Sequence, residues 1–281
     1  MSRGLSRHPG LSPGGEPENF EQYLLRVNPS QASLDSLAEQ PDNAPIIMLN
    51  LLRFNPRGDA GIYGEYAKRA APEVEKVGNF VGYYGQALTG FNPAFGFDDS
   101  WDGVGLVVYH RRQSFIQLQN SRNYQLAIPF RTAGASRRTL YVLGDDEQLP
   151  VAATTISELD ASHQALHAGE GAGNDDIYVL DLMSFTEHGR KKAFKSYAQA
   201  ISPLLQQSGA VLELSVSPET PVLSEAIWDY CMLTRFPSLE SVVALYENSA
   251  WKAVQTDCAE TLVSRLSVAS QSVPIPTTSP R

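Results

Sequence analysis

Two similar apolar runs stand out along the chain, one near its start and one beyond its middle. They are PIIMLNLLRF, from Pro45 to Phe54, and DIYVLDLMSF, from Asp176 to Phe185. Each has the length of a β-strand and carries a polar residue near its centre, Asn50 in the first run and Asp181 in the second. Because apolar and polar positions do not alternate, both runs predict strands that are buried on both faces.

The pattern after the first run predicts a helix, two strands, a second helix and a last strand. Apolar residues recur at helical spacing from Tyr63 to Val77, with charged residues on the other side. Further along, the pattern predicts strands over 79–88, 101–109 and 138–143 and a helix over 112–133. The order β-α-β-β-α-β is that of the ferredoxin-like unit.

The same order returns in the second half of the chain, with matching residues at a constant spacing. Asn50, Tyr66, Pro72 and Gly78 are matched by Asp181, Tyr197, Pro203 and Gly209, 131 positions later, and Trp101-Asp102 is matched by Trp228-Asp229, 127 positions later. Repetition at a fixed spacing predicts a tandem duplication. The two ferredoxin-like units are predicted at 45–144 and 176–270, with a linker at 145–175.

The predicted fold class is α+β. A single ferredoxin-like sheet carries helices on one face only, so its other face needs a cover. Two units in one chain can cover each other by packing sheet to sheet into an intramolecular α+β barrel, which makes the chain a monomer with an internal pseudo-dimer, or a homodimer of such chains.

The face of the first strand that carries Asn50 is expected to line the interior of this barrel. Asp181 takes the place of Asn50 in the second unit, and an unpaired carboxylate in a helix-packed core would cost several kcal/mol. A cavity inside the barrel could instead hold water or a ligand beside these residues. The alternative is that Asn50 hydrogen-bonds neighbouring backbone and only supports the structure.

The segments outside the two units have simpler predictions. A helical segment is predicted at 18–44, interrupted at Asn28-Pro29, with Ser30 or Ser33 as the cap of a second short helix. The segment 1–17 is rich in Gly, Pro, Ser and Arg, and this segment and the closing residues 271–281 are predicted to be disordered tails.

Composition excludes several classes of protein. The chain has 281 residues and a net charge of -9, which argues against binding to nucleic acid or to an anionic membrane surface. Its two cysteines, Cys231 and Cys258, cannot form a disulfide framework and are expected to be small buried hydrophobes, in keeping with a reducing compartment. No signal peptide or membrane-spanning run is found, so a cytoplasmic location is expected.

Several motifs of the first unit resemble a known family. MLNLLRF is followed by Tyr63-x-x-Tyr66 and a later proline, a Trp-Asp strand that ends in Tyr109, an N-x-x-N-Y-Q sequence and Arg131-Thr-Ala. Together they resemble the domain-of-unknown-function family 1330 of the dimeric α+β barrel superfamily. The resemblance is good from Tyr23 to Leu143 and holds for 176–270 in layout. It implies the barrel fold, on which the superfamily carries cofactor-free oxygenases, isomerases, polyketide cyclases and haem enzymes.

The second unit departs from the family's polar residues. Cys258 stands where the first unit has Arg131, and Ser184 where it has Arg53. The resemblance therefore implies one site, in the first unit, with the second unit as its lid or wall.

Three residues are predicted to be catalytic. Arg131 lies on an apolar helix face and offers a forked donor to a carboxylate or enolate, unless it only forms a salt bridge with Asp102 or another acid. His110 could act as a general base because imidazole groups titrate near neutrality, or it could be a surface residue at a strand end. Asp102 could be a base at the barrel mouth, although a Trp-Asp pair in both units favours a structural role.

A further set of polar and aromatic residues is predicted to bind the substrate. The tyrosines could position or protonate an oxyanion, or they could pack in the core with the hydroxyl at its edge. The set is Asn50, Arg53, Tyr63, Tyr66, Tyr84, Trp101 and Tyr109.

No cofactor or metal is predicted, although haem is not excluded. His163 and His167 have the i, i+4 spacing of helical metal ligands but lack the glutamate of a zinc protease motif. His110 or His188 could be an axial haem ligand. No phosphate loop, dinucleotide fingerprint or G-x-S-x-G motif occurs.

The predicted function is that of a small-molecule enzyme, of the kind found in secondary metabolism. Its substrate would be hydrophobic and oxygenated, and the reaction an isomerisation, cyclisation or lyase cleavage by proton transfer without a cofactor. The alternatives are a non-catalytic binding or scaffolding protein and a haem-dependent or cofactor-free oxygenase.

Overall fold

The structure is a computed structural model and describes residues 20–90, 95–146, 152–166, 173, 175–186, 190–224 and 226–274. The strands are β1 Ile46–Phe54, β2 Phe80–Ala87, β3 Gly103–Tyr109, β4 Ala135–Gly144, β5 Ile177–Phe185, β6 Val211–Leu223, β7 Tyr230–Phe236 and β8 Leu262–Ser272. The helices are α1 Phe20–Val27, α2 Gln31–Ala38, α3 Gly61–Lys76, α4 Arg112–Asn120, α5 Arg122–Gly134, α6 Ile156–Ser162, α7 Arg190–Gln207, α8 Leu239–Glu247 and α9 Ser249–Ala259.

The eight strands form one closed barrel in the order β1-β3-β2-β8-β5-β7-β6-β4. The first unit contributes four neighbouring antiparallel strands, β4-β1-β3-β2, and the second unit contributes β8-β5-β7-β6. The two units join edge to edge through β2–β8 and β4–β6. This confirms the predicted α+β class and the two ferredoxin-like units of the barrel.

The barrel interior is filled by apolar side chains from both units. Ile47, Leu49 and Leu51 of β1 belong to one buried cluster with Leu180 and Leu182 of β5. The other face of β1, which carries Asn50, lies toward helices α3, α4 and α5 of the first unit. The prediction that Asn50 faces the barrel interior is therefore wrong. It assumed that a polar side chain under the helices would lack a partner, whereas Asn50 and Asp181 both have arginine partners.

Several element boundaries differ from the predicted ones. The helix predicted over 112–133 is divided at Ser121, whose extended backbone (φ -67°, ψ 129°) separates α4 from α5. The linker contains α6, which a capping box between Thr155 and Glu158 begins. β8 continues to Ser272, past the predicted end of the second unit, because it pairs there with Gly85 of β2. Ser30 caps α2 through the backbone N–H of Ser33, as predicted. The predicted tail 1–17 lies outside the described residues.

Within the described part of the chain, no helix combines the length and apolar character that crossing a membrane requires.

Candidate functional site

A cavity of about 120 Å³ lies in the first unit, between the outer face of its sheet and helices α3, α4 and α5. A buried water needs only about 10–15 Å³ of such space, so the cavity has room for a small organic molecule. Its lining is mostly apolar, with Met48, Val107 and Leu140 on the sheet side and Ala70 on the helix side. An apolar cavity with a few convergent polar groups is the usual form of a small-molecule site.

A glycine leaves space for this cavity where the second unit has a methionine. Gly105 lies opposite Asn50 in the ladder between β1 and β3, and Met232 lies opposite Asp181 in the corresponding ladder between β5 and β7. The Met232 side chain is 1% exposed and belongs to the core of the second unit. A methionine at the position of Gly105 would occupy the space that the first unit leaves open.

Arg131 of α5 lines the cavity and is 2% exposed. Its Nη2 and Nε donate to Oδ1 of Asn28 at 2.8 and 3.2 Å, and its Nη1 donates to the hydroxyl of Tyr124 at 3.1 Å. The amide of Asn28 is itself oriented, because its Nδ2 donates to Oγ1 of Thr132 at 3.1 Å. The predicted alternative, a salt bridge from Arg131 to Asp102, is not what the structure contains, since Asp102 bonds elsewhere.

Arg138 of β4 is a second buried arginine on the same cavity and is not among the site residues predicted from the sequence. It is 5% exposed, its Nη1 donates to the carbonyl of Val27 at 2.8 Å, and its Nη2 donates to Oδ1 of Asn50 at 2.9 Å. Its Nε is buried with no hydrogen-bond partner among the described residues. A signal for it was present, because Arg265 follows it at the same spacing that relates Trp101 to Trp228.

The two guanidinium groups are held by neutral partners. In the described ranges, no carboxylate lies within salt-bridge distance of Arg131 or Arg138. A guanidinium remains protonated in a protein, so both carry a full positive charge beside an apolar cavity. Burying unpaired charge is costly, and an anion that enters the cavity would reduce that cost.

The hydroxyl of Tyr124 lies at the centre of a cluster of donors. Arg131 donates to it at 3.1 Å, Nε2 of Gln119 donates at 3.3 Å, and the hydroxyl of Tyr66 lies 2.8 Å away. Burial alone raises the pKa of Tyr124, but the charge of Arg131, the hydrogen bond with Tyr66 and the charge of Arg138 together bring its pKa below the ordinary value. Tyr124 is therefore the side chain in this cavity that is best prepared to lose a proton.

The other cavity tyrosines are kept in the protonated form. Burial raises the pKa of Tyr63, Tyr66 and Tyr109, although the charges of the two arginines oppose this shift. Burial also raises the pKa of Tyr84. These four residues and Asn50 all line the cavity, so the structure brings together most of the residues predicted to bind substrate.

His110, Asp102, Arg53 and Trp101 lie outside this lining. His110 has a side chain that is 57% exposed and bonds Oδ2 of Asp160 through Nδ1 at 2.7 Å. Arg53 lies two residues after Leu51 in β1 and therefore shares its barrel-facing side. Trp101 packs in the interior cluster of the barrel.

Asp102 acts as a backbone anchor at the end of β1. Its Oδ2 accepts a hydrogen bond from the backbone N–H of Phe54 at 2.8 Å, and its Oδ1 accepts one from Arg57 at 3.4 Å. In the second unit Asp229 accepts from the backbone N–H of Phe185 at the same distance of 2.8 Å. The Trp-Asp pair thus holds a strand end in both units, as its structural alternative predicted.

The residues of this cavity do not fit a haem that is held through histidine or cysteine, because neither residue type is in the lining. His110 lies on the surface, and His188 lies outside the described residues. His163, one of the two histidines with metal-ligand spacing, stacks near Phe80 with a centroid distance of 4.7 Å, and His167 also lies outside the described residues.

No family model matches the chain, and no curated protein matches it. Several solved structures match the chain. A protein of unknown function from Rhodopseudomonas palustris is 26% identical, covers 43% of this chain and 98% of its own, and has a TM-score of 0.38. An anthrone oxidase-like protein is 12% identical and covers 84% of this chain and 93% of its own, with a TM-score of 0.54. A mutant chlorite dismutase from Candidatus Nitrospira defluvii is 10% identical and covers 86% and 96%, with a TM-score of 0.48.

At 12% identity and a TM-score of 0.54, the anthrone oxidase-like protein is similar to this chain in fold alone. The resemblance to the domain-of-unknown-function family 1330 stays a prediction, since no family model matches.

Proposed function

We propose that this chain is a small-molecule enzyme that catalyses proton transfer without a cofactor, in the cavity between the sheet and helices of the first unit. The observation that carries the proposal is the meeting of two buried, carboxylate-free guanidinium groups and the Tyr124 hydroxyl at one apolar cavity. The apolar walls favour a hydrophobic substrate, and the donors favour one with a carbonyl or phenol oxygen.

The two arginines stabilise negative charge that develops on the substrate oxygen. Both are fixed before the substrate arrives, Arg131 by Asn28 and Tyr124, and Arg138 by Val27 and Asn50. Prearranged donors of this kind stabilise a charged transition state without reorganisation, and each is commonly worth ~2.7–4 kcal/mol. Arg131 thus keeps the role that the sequence predicted for it, and Arg138 joins it.

Tyr124 takes over the proton-transfer role that the sequence assigned to His110 or Asp102. In its ionised form, its phenolate oxygen removes a proton from a carbon next to the substrate carbonyl. The C–H electron pair forms a C=C bond, and the π pair of the carbonyl moves to its oxygen, which gives an enolate. Return of the proton to another carbon gives isomerisation. Attack of the enolate carbon on a second carbonyl gives cyclisation, and loss of a leaving group gives lyase cleavage. A base with a pKa closer to neutrality makes the first step easier.

Deuterium exchange tests the proposal without knowledge of the natural substrate. A panel of enolisable aryl ketones and β-diketones is incubated with the protein in D2O, and incorporation of deuterium is followed by mass spectrometry. We expect exchange above the buffer rate for at least one compound, and a loss of about 100-fold or more in Tyr124→Phe. The matched control is Tyr178→Phe, because Tyr178 lies in the barrel interior and its hydroxyl has no partner among the described residues.

The outcome separates the enzyme from the non-catalytic alternative. If compounds bind the cavity but none exchanges faster than in buffer, the chain is a binding or scaffolding protein. If Tyr178→Phe loses as much rate as Tyr124→Phe, the assignment of Tyr124 is wrong.

A cofactor-free oxygenase is the second candidate function. An enolate or phenolate held by Arg131 and Arg138 is electron-rich and could react with dioxygen, and one neighbouring structure is described as anthrone oxidase-like. Consumption of dioxygen with any compound that shows exchange would favour this candidate over isomerisation.

The assignment of the chain to a family is part of the same proposal. We infer that the chain is a tandem duplicate related to the domain-of-unknown-function family 1330. Support comes from matched strand positions, such as Asn50 with Asp181 and Arg138 with Arg265, which occupy the same register in the two units. Because two units of one chain close the barrel, we propose a monomer, which analytical ultracentrifugation would test.

A further inference from the structure

We infer that the anionic group recognised in the first-unit cavity is a carboxylate, and that Asp181 plays the part of this ligand in the second unit. The inference rests on the proposed function for the location of the site and adds the chemical class of the ligand. It comes from comparing two arginines, Arg138 and Arg265, that occupy the same place in the two units.

The strand register makes the two places equivalent. Asn50 of β1 pairs with Leu140 of β4, and Arg138 lies two residues before Leu140. Asp181 of β5 pairs with Ser267 of β8, and Arg265 lies two residues before Ser267. In both units the arginine therefore donates a hydrogen bond to the central polar residue of the unit's first strand.

The second unit supplies its own carboxylate to its arginine. Oδ1 of Asp181 accepts hydrogen bonds from Nη2 and Nε of Arg265 at 2.7 and 2.9 Å, and it also accepts one from the hydroxyl of Ser267. The charge of this arginine is neutralised within the protein. Met232, opposite Asp181 in the ladder, fills the adjacent space.

The first unit lacks that carboxylate. Asn50 is neutral, and its Oδ1 accepts a hydrogen bond from Nη2 of Arg138. Nε of Arg138 is buried and has no hydrogen-bond partner among the described residues. Asn50 is not free to turn its amide, since its Nδ2 donates to the carbonyl of Met48 at 3.1 Å. The positive charge of Arg138 and its Nε donor thus remain available beside the cavity that Gly105 leaves open.

A carboxylate attached to an apolar body fits these features. It carries the single negative charge that Asp181 carries, and its planar oxygens suit a guanidinium. The body would lie among the apolar residues of the lining, such as Met48, Ala70 and Val107. A neutral amide of the same shape would bring no charge to Arg138 and should bind more weakly.

Benzoate and benzamide are matched probes for this inference, since they share a shape and differ in charge. We expect isothermal titration calorimetry to show that wild-type protein binds benzoate at least about tenfold more tightly than benzamide. Gly105→Met should remove the binding of both probes, which places them in the cavity.

Asn50→Asp is the decisive variant. It gives Arg138 the internal carboxylate that Arg265 already has, so we expect a folded protein whose affinity for benzoate falls by about tenfold or more. Asn50→Leu is the control, because it removes the amide without adding charge. It also removes a partner of Arg138, so we expect benzoate affinity to fall, but by less than in Asn50→Asp.

Benzoate binding that is unchanged in Asn50→Asp, or benzamide binding as tight as benzoate binding, would overturn the inference. In the second case, deuterium exchange that still depends on Tyr124 would leave the proposed function standing. Loss of exchange in wild type, with benzoate still bound and sensitive to Asn50→Asp, would instead remove the proposed reaction and keep the carboxylate site.

Discussion

Nη1 of Arg131 lies 3.1 Å from the hydroxyl oxygen of Tyr124, one of the residues that precede it in α5. Both side chains are buried, at 2% and 3% exposure. In this environment burial opposes ionisation of the phenol, whereas the neighbouring guanidinium charge favours it and lowers the pKa of Tyr124. The same positive charge can stabilise an oxyanion of the substrate. Arg131 would therefore favour both the phenolate that removes the proton and the substrate anion that results.

The size of the cavity depends on Gly105, and Gly105→Met should close it. The new side chain reproduces Met232 of the second unit, so we expect cavity ligands to lose more than tenfold in affinity while the free energy of unfolding changes by no more than ~1–3 kcal/mol. Calorimetry and urea unfolding measure the two quantities.

Gly105→Ala is the graded control for that variant. A Cβ at position 105 would meet Cβ of Asn50 at 3.6 Å and Cδ2 of Tyr84 at 3.8 Å, which are ordinary contacts. Binding should therefore weaken only slightly. Full ligand affinity in Gly105→Met would show that the ligand lies elsewhere.

The ion pair between Asp181 and Arg265 should contribute strongly to stability. Asp181→Asn keeps the shape but leaves a largely buried arginine without an anion, and we expect the free energy of unfolding to fall by about 3 kcal/mol. Urea unfolding measures the loss. Asn50→Asp, which adds a carboxylate at the equivalent place, should not destabilise the protein. A cost below about 1 kcal/mol for Asp181→Asn would mean that Arg265 does not need its carboxylate.

His110 should be dispensable for the reaction. Its side chain is 57% exposed and contacts Asp160 at the surface, away from the cavity. We expect His110→Ala to keep the rate of deuterium exchange within about twofold and to change the free energy of unfolding by less than ~1 kcal/mol. A loss of exchange comparable to that of Tyr124→Phe would return the general base to the position that the sequence first indicated.

Asp102 should matter for stability and not for the reaction. It is 3% exposed and accepts a hydrogen bond from the backbone N–H of Phe54. Asp102→Ala leaves that donor unpaired and should lower the free energy of unfolding by ~1–3 kcal/mol. Exchange rates measured well below the melting temperature should stay close to wild type. A folded Asp102→Ala protein without activity would contradict this assignment.

The fold was predictable because its signals are local and repeated. The apolar runs around Asn50 and Asp181 are buried strands, and the order of elements in each half is that of the ferredoxin-like unit. The break of the long helix at Ser121 was not predicted, because it is a single residue of extended backbone within a continuous helical pattern.

The face of β1 that carries the site could not be obtained from β1 alone. The sequence predicts Asn50 inside the barrel because an unpaired carboxylate at the matching position, Asp181, would be costly under the helices. That cost depends on the partner, and the partner, Arg265, comes from a strand more than eighty residues away. The matched spacing of Arg138 and Arg265 is visible in the sequence and indicates that the two arginines occupy equivalent places, but it does not show their partners.

The role of Tyr124 could not be predicted from the sequence. It stands in the motif that resembles the family, yet its role depends on three side chains that meet at its oxygen, those of Arg131, Gln119 and Tyr66. Only the packing of α3, α4 and α5 brings these donors together.

Ultraviolet titration of the tyrosines is the most direct test of the central claim, that the arginines of this cavity prepare Tyr124 to hold negative charge. Absorbance near 295 nm, followed against pH, reports phenolate formation. We predict that wild-type protein has one tyrosine that ionises below the ordinary pKa of ~10 and that Tyr124→Phe lacks this step. In Arg131→Leu the step should move to higher pH, because burial then acts with less opposing charge. Superimposable titrations of wild type and Tyr124→Phe below pH ~10 would contradict the account.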